Sequence, residues 1–228
     1  MGAPDLLENE RRLAAEGVRR IAGVDEVGRG ALFGPVVAAA VILDLDEGDW
    51  SGIRDSKTLS EAARERLYDR IVEGCHAWAV GEVTAEEIDR TDILRATLRA
   101  MTLAVEGLDP SPQFVLVDGN TVPRLQYPCE ALVKGDARSV SVASASIVAK
   151  VWRDRAIREL SRRFPEYGLD RNKGYGTHEH LSAIQRLGPT TLHRRSFQGV
   201  VTSRGEGPKR PRQVSLFESG GSQPSHRG

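Results

Sequence analysis

Cysteine, long apolar runs and net charge are all scarce in this 228-residue sequence. Its two cysteines, Cys75 and Cys129, provide neither a disulfide framework nor the paired spacing of a metal knuckle. The longest apolar run, Ala31 to Leu43, is broken by Gly34 and Pro35 and is too short to span a bilayer. The opening MGAPDLLENERR has no apolar signal core, and Leu6 stands where a myristoylation signal needs Ser or Thr. These absences point to a soluble, cytoplasmic chain with one substantial core, and nothing suggests a stable dimer.

Charge is balanced, with 32 basic and 32 acidic residues. The balance is uneven along the chain. Without the five basic and two acidic residues of positions 201–228, the remainder holds 27 basic and 30 acidic groups. Bulk charge therefore draws in no polyanion, and nucleic-acid binding requires local patches or metal ions that invert an acidic site. Gly, Pro or Ser occupy 13 of the last 28 positions, which reads as a flexible tail carrying something short. The expected organisation is an N-terminal extension over 1–17, a main folded domain over 18–200 and a tail over 201–228.

What is present is alternating strand and helix. Val18 to Val27 and Pro35 to Leu43 read as strands, the second almost continuously apolar and so central. Ser60 suits the N-cap of a helix ending at Gly74, with Leu67 and Ile71 facing a core. A strand is expected over Ala77 to Val83. Thr84 and Glu87 have capping-box spacing and open a helical stretch that breaks near Thr91 and ends by Gly107. Phe114 to Val117 reads as a short buried strand, and from Asp136 the chain enters a long helix of small residues. The pattern predicts an α/β domain with a central mixed sheet flanked by helices.

The informative segment is Gly23-Val24-Asp25-Glu26-Val27-Gly28-Arg29-Gly30, where two carboxylates end an apolar strand and enter a glycine-rich turn. Consecutive strand residues face opposite sides, so both acids serve one site only if the backbone bends there. Asp118 ends a second apolar strand, and Asp136 follows the Lys134-Gly135 turn. Acids at neighbouring strand ends can meet in the crevice beyond the sheet edge. Crowded carboxylates repel one another unless protonated or bridged by hard divalent cations, Mg²⁺ or Mn²⁺. Taken singly, Asp136 is as well explained as a helix cap and Asp118-Gly-Asn as a turn, and periodicity alone does not bring the four acids together.

The ordered motifs go further. GVDEVGRG with GPVVAAAVIL, Asp55-Ser56-Lys57, Val117-Asp118-Gly119-Asn120, Lys134-Gly135-Asp136 with SVASASIVAKVWRD, Lys173-Gly174-Tyr175-Gly176-Thr177 with His180, and His193-Arg194-Arg195-Ser196-Phe197 resemble the ribonuclease HII family from about residue 20 to 198. The resemblance implies a ribonuclease H-like fold with a C-terminal helical segment. It also implies that Asp25, Glu26, Asp118 and Asp136 hold two Mg²⁺ or Mn²⁺ ions. The implied reaction hydrolyses the RNA strand of RNA–DNA hybrids, and duplex DNA beside an embedded ribonucleotide, leaving 5′-phosphate and 3′-hydroxyl ends. Such an activity serves ribonucleotide removal in replication and repair.

By the same resemblance, Gly28, Arg29 and Gly30 form the turn whose backbone meets the 2′-hydroxyl, and Tyr175 packs on the following sugar. Lys57, Lys134, Lys150, Arg153, Arg194 and Arg195 are the candidate phosphate contacts. In the tail, Gln213-Val214-Ser215-Leu216-Phe217 resembles the peptide that docks on the bacterial sliding clamp through Gln213, Leu216 and Phe217. The sequence departs from the family pattern at Ala31 and Phe33, where Pro and Ala are usual, and at Asp92, where Asn is common.

Other readings are weaker. Gly28-x-Gly30-x-x-x-Gly34 is one residue too long for a dinucleotide loop, and its preceding acids would repel a pyrophosphate. His178-Glu179-His180 lacks zinc spacing and reads as ordinary polar surface. A resolvase of the same broad fold, or a noncatalytic hybrid-binding or clamp-adaptor protein, would lack a ribonucleotide requirement or would never cut.

Overall fold

The computed structural model describes residues 5–53 and 59–200. Five strands form one mixed sheet in the order β3-β2-β1-β4-β5. They are β1 (Ile21–Val27), β2 (Val36–Ile42), β3 (Ala77–Val83), β4 (Phe114–Asp118) and β5 (Cys129–Leu132). The first three pair antiparallel, whereas β4 and β5 run parallel to β1.

All seven residues of β2 are buried, as its unbroken apolar run predicts for a central strand. Its alternate residues enter two cores. Val36, Ala38, Ala40 and Ile42 pack with α4 (Ile93–Glu106) through Ala100, Met101 and Ala104. Ala39 and Val41 pack on the other face with α2 (Glu61–Gly74) and α5 (Val140–Arg163). Burying each branched side chain contributes about 1.5–3 kcal/mol.

Helix starts fall where capping chemistry puts them. Ser60 accepts from the Ala63 N–H at 3.3 Å and Thr84 from the Glu87 N–H at 3.2 Å. The break at Thr91 separates α3 (Ala85–Arg90) from α4, whose N-cap Asp92 accepts from the Arg95 N–H at 2.8 Å. The family departure at Asp92 is thus a competent cap.

Two expectations need correcting. β1 begins at Ile21 rather than Val18, because the Arg19 and Arg20 N–H groups donate to the Gln113 side chain outside the ladder. Asp136 does not open the long helix. It sits in a 3₁₀ turn (Gly135–Ala137), and α5 starts at Val140, capped by Ser139. The N-terminal extension packs onto the domain. Its helix α1 (Glu8–Ala15) buries Leu13 against Ile21, Leu116 and Val142. Buried Glu10 accepts from the Ser139 hydroxyl at 2.5 Å and the Ser141 N–H at 3.1 Å, placing an anion at the N-terminus of α5.

The C-terminal segment adds α6 (Leu169–Asn172), α7 (His178–Leu187) and a small core of Phe33, Ile157, Leu169 and Ile184. Among the described residues no helix is long and apolar enough to cross a membrane.

The helix α5 lies directly on β1. A methyl group at Gly23 would stand 2.0 Å from the Ser141 carbonyl carbon, so only glycine allows this approach. Gly23→Ala is expected to destabilise the fold by about 3 kcal/mol through overpacking, read by urea denaturation.

Candidate metal centre

The close seating of α5 on β1 brings its polar residues to the strand's carboxyl end. Val24 pairs with Val117 across parallel strands, so Asp25 and Asp118 leave the sheet side by side. Asp25, Glu26 and Asp118 each offer a carboxylate oxygen within 4.8 Å of the other two. No break in the strand achieves this. The β1–β2 ladder runs through Asp25 and Glu26 to Val27.

Asp136 stands outside this trio but is buried next to it. The Asp118 Oδ1 accepts from the Gly135 N–H at 2.6 Å, tying the turn that carries Asp136 to the centre. Lys134, which starts that turn, adopts a left-handed backbone with φ 57°.

The electrostatics are those of a crowded carboxylate cluster. Burial, followed by the charges of Glu26 and Asp118, holds the Asp25 carboxyl well above its ordinary range. The Ser146 hydroxyl and the Glu26 N–H, at 2.7 Å, oppose this by donating to it. Glu26 is also raised, mainly by burial, with Arg29 at 3.3 Å pulling it back. Three carboxylates at one point, with Asp25 and Glu26 raised, fit a hard divalent cation, which relieves both desolvation and repulsion.

A cavity of about 190 Å³ opens over these acids, lined by Asp25, Glu26, Arg64, Ser146, Lys150 and Tyr175. Two of its residues were not singled out from sequence. Ser146 lies within a buried run of small and apolar residues, and that polar insertion was the available signal. Arg64 has no signal beyond its charge. Lys150 is held by Asp154 at 2.8 Å.

Gly28 has φ +86°, and a methyl group there would meet the Arg153 Nε at 2.3 Å. Arg29 and Gly30 are exposed at the turn, Tyr175 is half-buried across from them, and Arg195 is exposed with its N–H donating to Asp89 at 2.8 Å. Lys57, and Gln213, Leu216 and Phe217, lie outside the described residues.

Arg153 and Arg194, expected to touch phosphate, are both 0% exposed, and their guanidinium groups donate to backbone carbonyls inside the protein.

His180 is likewise buried rather than surface. The Thr190 N–H donates to His193 Nδ1 at 2.9 Å, leaving the His193 Nε2–H to donate to His180 Nε2 at 3.2 Å. His180 Nδ1–H then donates to the Tyr175 carbonyl at 2.9 Å. Each ring is neutral, with its tautomer set by its neighbours.

A carboxylate cluster of this kind at the open end of an α/β sheet defines a metal-dependent nuclease of the ribonuclease H-like class. The chain matches the family model of Ribonuclease HII over residues 22–200. The Ribonuclease HII of Ruegeria pomeroyi is 55% identical over 201 residues, covering 88% of this chain and 85% of that protein. Among solved structures, ribonuclease H2 from Pyrococcus horikoshii OT3 superimposes with a TM-score of 0.67 at 28% identity, covering 79% of this chain and 95% of that one. The RNase HII of Archaeoglobus fulgidus, solved as a complex with PCNA, gives 0.64 at 26% identity, covering 76% and 91%.

The chain therefore belongs to the ribonuclease HII family. It is a divalent-metal-dependent endoribonuclease, a hydrolase that acts on RNA–DNA hybrids.

Burial, then repulsion from His180 and Arg195, lowers His193 to about 3, and burial lowers His180 as well. The unfolded chain therefore binds protons that the native state refuses between pH ~6.5 and ~3. The His193 contribution to stability is expected to be full above ~6.5 and to fall below it, sloping by up to ~1.4 kcal/mol per pH unit. Denaturation midpoints across this range check it, and His193→Gln is expected to flatten the slope.

Proposed function

We propose that this enzyme incises duplex DNA at single embedded ribonucleotides as well as hybrids, leaving 5′-phosphate and 3′-hydroxyl ends, and so acts in ribonucleotide removal. The observation that carries this is the convergence of Asp25, Glu26 and Asp118, with Tyr175 lining the same cavity as Asp25 and Glu26, beside the Gly28–Gly30 turn. A 2′-hydroxyl both donates and accepts, and a backbone turn with little side-chain cover can answer both needs. Tyr175 offers a flat ring to the next sugar and thereby senses an RNA-to-DNA junction.

Asp25, Glu26 and Asp118, with Asp136 beside them, would hold two Mg²⁺ or Mn²⁺ ions. When bound, these supply activation of a water and stabilisation of the leaving 3′-oxygen. The chain's own contribution is positioning. Ser146 orients Asp25, Arg29 steadies Glu26, and Asp118 ties down the turn bearing Asp136. Lys150 and Arg64 present positive charge on the cavity wall, where a phosphate must enter an otherwise acidic site. Arg195, Lys134, Arg29 and Lys57 are the further phosphate contacts of this reading.

The assay is a DNA duplex holding one ribonucleotide, incubated with and without divalent metal, with the cut mapped. Cleavage at the ribonucleotide, abolished by chelator, is expected. An all-DNA control cut equally well refutes the reading. Asp25→Asn and Asp118→Asn are each expected to lower the rate at least ~10³-fold while leaving the melting temperature unchanged or raised, since each relieves carboxylate repulsion.

We further assign Gln213, Leu216 and Phe217 to docking on the bacterial sliding clamp. Supporting this, the archaeal relative was solved with PCNA, a sliding clamp. A short docking peptide raises the enzyme's concentration at replicated DNA by tethering. Changing both Leu216 and Phe217 to Ala is expected to weaken clamp binding at least ~10-fold in calorimetry, with cleavage of free oligonucleotides unaltered.

A further inference from the structure

Arg153 on α5 and Arg194, beyond α7, reach the back of the substrate face from different parts of the chain. Arg153 donates from Nη1 to the Lys173 carbonyl at 2.9 Å, from Nη2 to Phe33 at 3.2 Å and from Nε to Pro35 at 3.4 Å. Arg194 donates from Nη1 to the Arg29 carbonyl at 2.9 Å and from Nε to Gly34 at 3.0 Å. Its backbone N–H donates to Leu32 at 2.8 Å. The carbonyls of the 29–35 segment and of Lys173 are thus gathered onto two planar cations.

The same two segments also touch directly. The Leu32 N–H donates to Gly174 at 2.8 Å, and Ala31 forms an isolated bridge with Tyr175. The Arg153 guanidinium lies 5.5 Å from the centre of the Tyr175 ring, and Gly28 rests on its Nε side.

Such an arrangement is costly. Two like charges are buried close together, and burial followed by repulsion from Arg153 pushes Arg194 down to about 9. The second Nη of Arg194 finds no acceptor among the described residues. A lysine has one ammonium where arginine has a rigid fork of five donors, so it cannot hold several carbonyls at set positions.

We propose that Arg153 and Arg194 are positioning residues for substrate specificity, fixing the separation between the Gly28–Gly30 turn and the ring of Tyr175. The inference rests on the reading that these two features grip consecutive sugars of one strand. That strand's backbone dictates the distance between its sugars, so turn and ring must keep a matching distance. The arginines never touch the substrate.

The test uses Arg153→Lys and Arg194→Lys in the full chain. The readout is kcat/KM on a duplex with one ribonucleotide relative to a uniform RNA–DNA hybrid, where the junction is absent. The ratio is expected to fall roughly tenfold or more, through kcat, because misplacements of ~1 Å cost up to about 100-fold. Manganese affinity, measured by calorimetry, is expected to stay unchanged. Folded variants that keep the wild-type ratio overturn the proposal.

Amide hydrogen exchange on the wild-type protein guards against variants that do not fold. Leu32, Phe33 and Tyr175 amides are expected to exchange through one shared opening, and independent, fast exchange of the two segments overturns the proposal. Wild-type protein indifferent to the ribonucleotide removes both the reading and this inference, whereas an active wild type with unaltered variants removes the inference alone.

Discussion

The site depends on how closely α5 can approach β1. Gly23 has no side chain in the way, and the facing stretch of α5 is built from Ser141, Val142, Ala143, Ala145 and Ser146, all buried. A helix seated this low carries Ser146 to Asp25 and Lys150 to the cavity wall, and its N-terminal cap is locked by Glu10 of α1. The packing that builds the core is therefore also what aims the catalytic face. The metal centre is a consequence of that geometry rather than an addition to it.

Against this packing works the mutual repulsion of Asp25, Glu26 and Asp118. The fold holds three acids together at one end of the sheet although burial and neighbouring charge resist it. Its stability has to come from elsewhere, from the two apolar layers on either face of β2. The strain is useful, because a bound divalent cation relieves the repulsion among the acids. Stability and metal affinity are thus opposed at this point, a common arrangement where function demands charge in an interior.

The second half of the substrate face is organised differently. Here the backbone itself is the contact surface of the proposed reading, and backbone needs support from behind. Arg153 and Arg194 provide it with fixed forks of donors, and the His193–His180 relay holds the Tyr175 carbonyl from a third direction. Phe33, unusual for the family, packs edge-on against His193 with ring centres 4.9 Å apart, which gives that departure a structural role. The C-terminal segment is thereby the frame of the Gly28–Gly30 turn.

Much of this was legible in the residues themselves. Unbroken apolarity marked β2 as central, Ser60, Thr84 and the Thr91 break located helix ends, and the acids at the ends of two apolar strands marked the site. These features are local, written in propensity, capping and alternation over a few neighbouring positions. Tertiary structure alone decided which charged side chains face water. Arg194 meets the Gly34 carbonyl across 160 positions, and Arg153 meets Phe33 across 120. An arginine at the surface and one holding carbonyls in the interior look alike in sequence, since burial of a charge depends on partners that only the folded chain assembles. The same reason left His180 looking like surface, and it left the meeting of Asp25, Glu26 and Asp118 undecided until parallel pairing set β4 beside β1.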